Sequence, residues 1–82
     1  MQLKSEIRNF IVDNFLYGQD DGKLGDDISF LSTGIIDSTG MLEVVSFVEE
    51  NYGISVEDDE LVPENLDSIH NLSVFVQKKM SS

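Results

Sequence analysis

Ser38 stands where an apolar loop gives way to a helical pattern, in Gly34-Ile35-Ile36-Asp37-Ser38-Thr39-Gly40. Asp37 or Ser38 is suited to cap that helix, the common use of such residues. A serine there has a second property. Backbone N–H groups and the helix dipole favour a phosphate attached to its hydroxyl. Asp37 beside it is suited to help hold a metal-bound phosphate donor, because carboxylates and phosphates share magnesium ligation. Hydrolysis is the competing chemistry. The chain has one histidine, His70, which a serine triad would require. No Gly-x-Ser-x-Gly elbow surrounds Ser38 and no strand is expected before it, so the chain is not expected to be an enzyme.

Two acidic groups need the same weighing. Asp20, Asp21, Asp26 and Asp27 lie among Gly22 and Gly25 and invite a calcium reading. A calcium loop needs oxygen ligands at alternate positions and glycine at the sixth. With Gly25 sixth, Gly22 and Leu24 fall on ligand positions; with Gly22 sixth, Tyr17 is first. Both registers fail, so no specific metal site is expected, only weak divalent binding from charge density. Glu43, Glu49 and Glu50 follow Ser38 on its own helix, with Glu57, Asp58, Asp59 and Glu60 just beyond. They are either a solvated face or a docking face for basic partners.

The elements that must position these residues are helical. Leu3, Ile7, Phe10, Ile11, Asn14 and Phe15 advance in helical steps and predict a helix over about 2–16, with Lys4, Glu6, Arg8 and Asp13 largely off the stripe. Residues 17–36 read as a long glycine- and aspartate-rich loop, pinned to the core by Ile28, Phe30, Leu31, Ile35 and Ile36. The helix opened by Ser38 runs to about 51. Leu42, Val45, Val48 and Tyr52 form its apolar face, Met41 and Val44 flank it, and Gly53 stops it. Gly40 weakens its first turn by about 1 kcal/mol relative to alanine, a cost that asks for close approach by another group. A short helix over 64–66 follows Pro63. The last helix, over about 68–79, is capped by Asp67 or Ser68, buries Ile69, Leu72, Phe75 and Val76, and ends on Lys78 and Lys79. The result is all-α: three major helices, one short helix and a long first connection, in one domain spanning 1–82.

Composition bounds the function. A chain of 82 residues supports one thin core. It has no cysteine, which excludes disulfides, thiolate metal sites and cysteine nucleophiles and suits a cytoplasmic location. The opening Met1-Gln2-Leu3-Lys4-Ser5-Glu6 starts an amphipathic helix and not a signal peptide, and no apolar run approaches the roughly 20 residues of a membrane span. Sixteen acids against five bases give a net charge of −11. Such a surface repels nucleic acid and anionic lipid and favours basic proteins or cations. A hydrophobic content of 40% argues for a folded acidic monomer over disorder.

Gly34-Ile35-Ile36-Asp37-Ser38, an amphipathic helix and then Glu49-Glu50-Asn51-Tyr52-Gly53-Ile54 resemble an acyl carrier protein, in the superfamily that includes peptidyl and aminoacyl carrier domains. Length, acidity, the long first loop and helix order agree along nearly the whole chain. The resemblance implies a four-helix bundle of the acyl-carrier type. It implies that Ser38 carries a covalent 4′-phosphopantetheine, added from coenzyme A by a phosphopantetheinyl transferase, with Asp37 as the adjacent motif residue. Acyl or aminoacyl cargo would ride as a thioester on the arm, whose thiol makes a cysteine unnecessary. Glu43, Glu49, Glu50 and Glu57, with Thr39 and Met41, would meet an acyl- or aminoacyl-activating ligase and downstream synthases or transferases bearing basic docking patches, in trans. Family members commonly carry leucine directly after the serine, where this chain has Thr39-Gly40. That departure points away from housekeeping fatty-acid biosynthesis and toward a specialised carrier in secondary metabolism, with Met41 supplying part of the apolar contact. The alternative is an unmodified acidic adaptor that binds a basic protein through the Ser38 helix.

Overall fold

In a computed structural model of the chain, residues 3–18 and 24–81 are described. Within them the chain is helical and contains no strand. Helix α1 is Leu3–Phe15, α2 is Phe30–Thr33, α3 is Ser38–Tyr52, α4 is Pro63–Leu66 and α5 is Ile69–Ser81, with a single 3-10 turn at Asp58–Glu60 between α3 and α4. The three major helices, the short α4 and the long first connection stand as expected. Much of the calcium reading, including Asp20, Asp21 and Gly22, lies outside the described residues.

Helix α5 is the centre of the bundle and packs on α1, α3 and α4. Ile69, Leu72, Phe75 and Val76 are all buried, as their spacing predicts. They meet Leu3, Ile7, Ile11 and Val12 from α1 and Val44 and Val48 from α3 in one apolar cluster. Burying each such side chain contributes about 1.5–3 kcal/mol before chain entropy is counted. Ser68 caps α5 by accepting the Asn71 N–H at 3.0 Å.

Several expectations shift. On α3 the buried line is Gly40, Val44 and Val48, and Leu42 is 59% exposed instead of facing the core. The face is turned because Gly40, with no side chain to signal burial, begins the buried line that Val44 and Val48 continue. On α1 Asn14 is exposed and donates to the Phe10 carbonyl at 2.9 Å, leaving the stripe to Leu3, Ile7, Ile11 and Val12. Pro63 does not precede the short helix but starts it, at a position where its missing N–H costs nothing.

The long first connection contains a helical turn of its own. Ser29 caps α2 by accepting the Ser32 N–H, and Gly34 closes it at φ 76°, a conformation glycine adopts without strain. Phe30 and Ile36 are buried as expected, whereas Leu31 is 42% exposed and points away from the core. Arg8, expected on the outer face of α1, is half-buried and reaches back to this segment. Its guanidinium donates to the Leu24 carbonyl and to the Asp26 carboxylate. Lys4 lies 3.7 Å from the same carboxylate, and the His70 N–H donates to the Asp26 carbonyl at 2.9 Å. The connection is thereby fastened to α1 and to the start of α5.

Candidate functional site

Asp37, and not Ser38, caps α3. It sits in extended conformation (φ −91°, ψ −178°) and its Oδ1 accepts the Gly40 N–H at 2.7 Å. Ser38 is consequently the first helical residue, exposed, with a hydroxyl that has no intramolecular partner among the described residues. Capping thus falls to Asp37 and does not engage the neighbouring Ser38 hydroxyl. The hydroxyl stands at the positive end of a 15-residue helix, where an attached anion is favoured by about 0.3–1 kcal/mol.

Gly40 fixes how this helix start sits. A Cβ there would lie 2.9 Å from Phe15 Cε1 and 3.1 Å from Ile36 Cγ2. The ring of α1's last residue occupies the space a side chain would take. The glycine permits the close approach that its presence in a first turn demands.

Beside Ser38 runs an apolar groove of about 200 Å³. One side is Met41, Leu42 and Val45 of α3; Leu31 comes from α2; Leu61, Val62, Pro63 and Leu66 come from the segment around α4. Met41 therefore lines the surface next to Ser38, while Thr39 is exposed. Leu31, Leu61 and Leu66 are not recognisable as site residues from sequence, since they belong to short irregular segments without a periodic face.

The acids separate into two groups. Glu43 and Glu50 are exposed and flank a second groove whose floor is Phe10, Leu42 and Phe47. The Phe10 and Phe47 rings stack with centroids 4.0 Å apart. Glu49 is half-buried and its Oε2 accepts the Val56 N–H at 2.9 Å, which fastens the chain after α3. Glu57 is exposed, and its N–H donates to Glu60 Oε1 at 2.9 Å. Glu60 also pairs with Lys79 Nζ at 2.8 Å. Those donors hold the Glu60 carboxyl below its ordinary range, the Glu57 backbone bond most of all.

His70 does not join Ser38. It is exposed and lines a different groove with Glu64, Asn71 and Lys78. Among the described residues no group of three or more acidic or histidine side chains is placed to hold a metal ion, and no helix is long and apolar enough to cross a membrane.

No family model matches the chain. It is 28% identical over 76 residues to the probable acyl carrier protein PigG of Serratia sp. (strain ATCC 39006), covering 93% of this chain and 86% of that protein. Its fold superposes on the solution NMR structure of the holo acyl carrier protein NE2163 from Nitrosomonas europaea with a TM-score of 0.80 and 28% identity, covering both chains completely. The chain is thus similar to acyl carrier proteins in both sequence and fold. In this chain the Asp37-Ser38 motif forms the start of the acidic helix α3.

Proposed function

We propose that Ser38 bears a 4′-phosphopantetheine arm and that the chain presents acyl or aminoacyl cargo to partner enzymes. One observation carries the reading: the Ser38 hydroxyl is exposed, without a partner among the described residues, and at a helix N-terminus beside an apolar groove. The residues present fit the group. The first turn of α3 suits a phosphodiester, and Met41, Leu42 and Val45 offer apolar surface along which the arm or its cargo would lie. The bound group would supply a terminal thiol, which this cysteine-free chain lacks. Attachment forms a bond from Ser38 Oγ to the β-phosphorus of coenzyme A and breaks the bond to its bridging oxygen. The bridging oxygen leaves with adenosine 3′,5′-bisphosphate, and the serine proton passes to a base on the transferase.

Partners are a phosphopantetheinyl transferase, a cargo-activating ligase and later synthases or transferases. Glu43 and Glu50 support contact with basic patches, in company with Thr39 and Met41 near the arm; Glu49 and Glu57 contribute charge from more constrained positions. Exposed acids of this kind steer encounter more than they add affinity, and salt weakens the steering. Incubation with coenzyme A and a broad-specificity transferase is expected to add one phosphopantetheine by intact mass. Absence of an adduct with several transferases would refute the reading. The groove between Glu43 and Glu50 also favours a second reading, an adaptor that binds a basic protein without modification. That reading requires the protein from cells to carry no adduct and binding to survive Ser38→Ala.

A further inference from the structure

One side chain outside the proposed attachment site holds both the approach to Ser38 and a wall of its groove. Asp67 follows directly on α4, and three successive residues of the first connection are bonded to it. Its Oδ1 accepts the Leu31 N–H at 2.9 Å. Its Oδ2 accepts the Ser29 hydroxyl. Its backbone carbonyl accepts the Phe30 N–H at 2.8 Å. The Ser29 hydroxyl accepts the Ser32 N–H in turn, so the clasp and the cap of α2 form one chain of bonds. Each side of the clasp carries a groove wall: Leu31 from α2, and Leu66, the neighbour of Asp67. From α2 the chain passes through Gly34 to Asp37 and Ser38, so the same clasp anchors the lead-in to the serine.

We propose that Asp67 is a positioning residue that sets the separation of the Leu31 and Leu66 walls and thereby selects which apolar cargo tethered at Ser38 lodges between them. The cargo part rests on Ser38 as the attachment point. A carboxylate suits the task because it only accepts: one oxygen serves Leu31 and the other serves Ser29 without competition. An asparagine keeps one accepting oxygen, and its amide nitrogen would face the Ser29 hydroxyl, which would have to turn from donating to accepting and would exchange a charge-assisted bond for a weaker neutral one. A glutamate would reach one methylene further and move the two walls apart.

The test uses the full, unmodified protein and a neutral apolar dye, N-phenyl-1-naphthylamine, followed by fluorescence and by methyl chemical shifts of Leu31, Val45 and Leu66. The wild type is expected to bind the dye with shifts at these methyls. Asp67→Asn should weaken binding about three- to tenfold, the worth of one net hydrogen bond. Ser29→Ala should weaken it in the same direction, and the double variant no further than Asp67→Asn, because both act on one clasp. Phe75→Leu provides a stability control: Phe75 is buried on α5 and lines no part of this groove. Equal dye binding by wild type and Asp67→Asn would overturn the proposal. So would a loss in Phe75→Leu as large as in Asp67→Asn, or no shift at the groove methyls of the wild type. Failure of the Ser38 reading shows separately, as a wild type that takes no adduct from coenzyme A, and the dye still decides on Asp67.

Discussion

Asp37 caps α3 and Ser38 does not, and the difference gives them opposite mutational signatures. Asp37→Ala removes the bond to the Gly40 N–H and should cost about 0.5–2 kcal/mol of stability in urea unfolding. Ser38→Ala removes a hydroxyl without a partner and should change stability by less than about 0.5 kcal/mol while abolishing modification. A large loss in Ser38→Ala would mean that the serine, after all, holds the helix. Gly40→Ala should also destabilise. Alanine gains about 1 kcal/mol in helix propensity, but a Cβ placed 2.9 Å from the Phe15 ring overpacks the site at about 1–3 kcal/mol. Phe15→Leu in that background should restore part of the loss. The helix start at Ser38 was legible in sequence because a capping residue type and the onset of helical periodicity coincide there. Whether Asp37 or Ser38 was the cap was not legible, since both residue types suit the position and only backbone geometry separates them.

The helices are held together by a few long-range polar links that periodicity does not reveal. Arg8 looks like a surface residue of α1, yet it fastens the first connection through Leu24 and Asp26. Sequence offers Asp67 only as a helix cap, yet its carboxylate closes a loop 36 and 38 residues away. Leu42 suggests burial by its apolar character, while the buried line of α3 begins at a glycine that carries no such signal. The α5 face was legible because all its core positions carry large apolar side chains. Tyr52 provides a testable link between α1 and α3: its hydroxyl donates to Glu6 Oε1 at 2.7 Å. Burial, then the bond to Glu6 and its charge, raise the phenol above its ordinary range. The unfolded chain therefore ionises first as pH climbs past about 10. The contribution of Tyr52 is fully present below that pH and is lost above it. Unfolding free energy should fall on the alkaline side, and Tyr52→Phe should flatten that limb. Equal alkaline slopes in the two proteins would show that the link to Glu6 is not kept in solution.

At the scale of the molecule, charge and size act together. The net charge of −11 is spread over a body of 35 × 26 × 20 Å. At about 10 mM salt the Debye length is roughly 30 Å, so acids repel one another across nearly the whole molecule; at about 0.1 M it is roughly 10 Å. Raising salt over that range, or adding magnesium, should raise the melting temperature. For a domain of this size each kcal/mol of relief is worth about 4–8 °C. A flat response in thermal unfolding would mean that the ion pairs around Asp26 and Glu60 already neutralise the repulsion locally. The same acidic exterior would suit the proposed carrier, which must meet successive partners and leave each of them. Everything turns on one hydroxyl. Peptide mass mapping after incubation with coenzyme A and a broad-specificity transferase tests it most directly. A single phosphopantetheine on the peptide that contains Ser38, absent in Ser38→Ala, is the expected result. An unmodified Ser38 peptide, or an adduct that persists in Ser38→Ala, would contradict it.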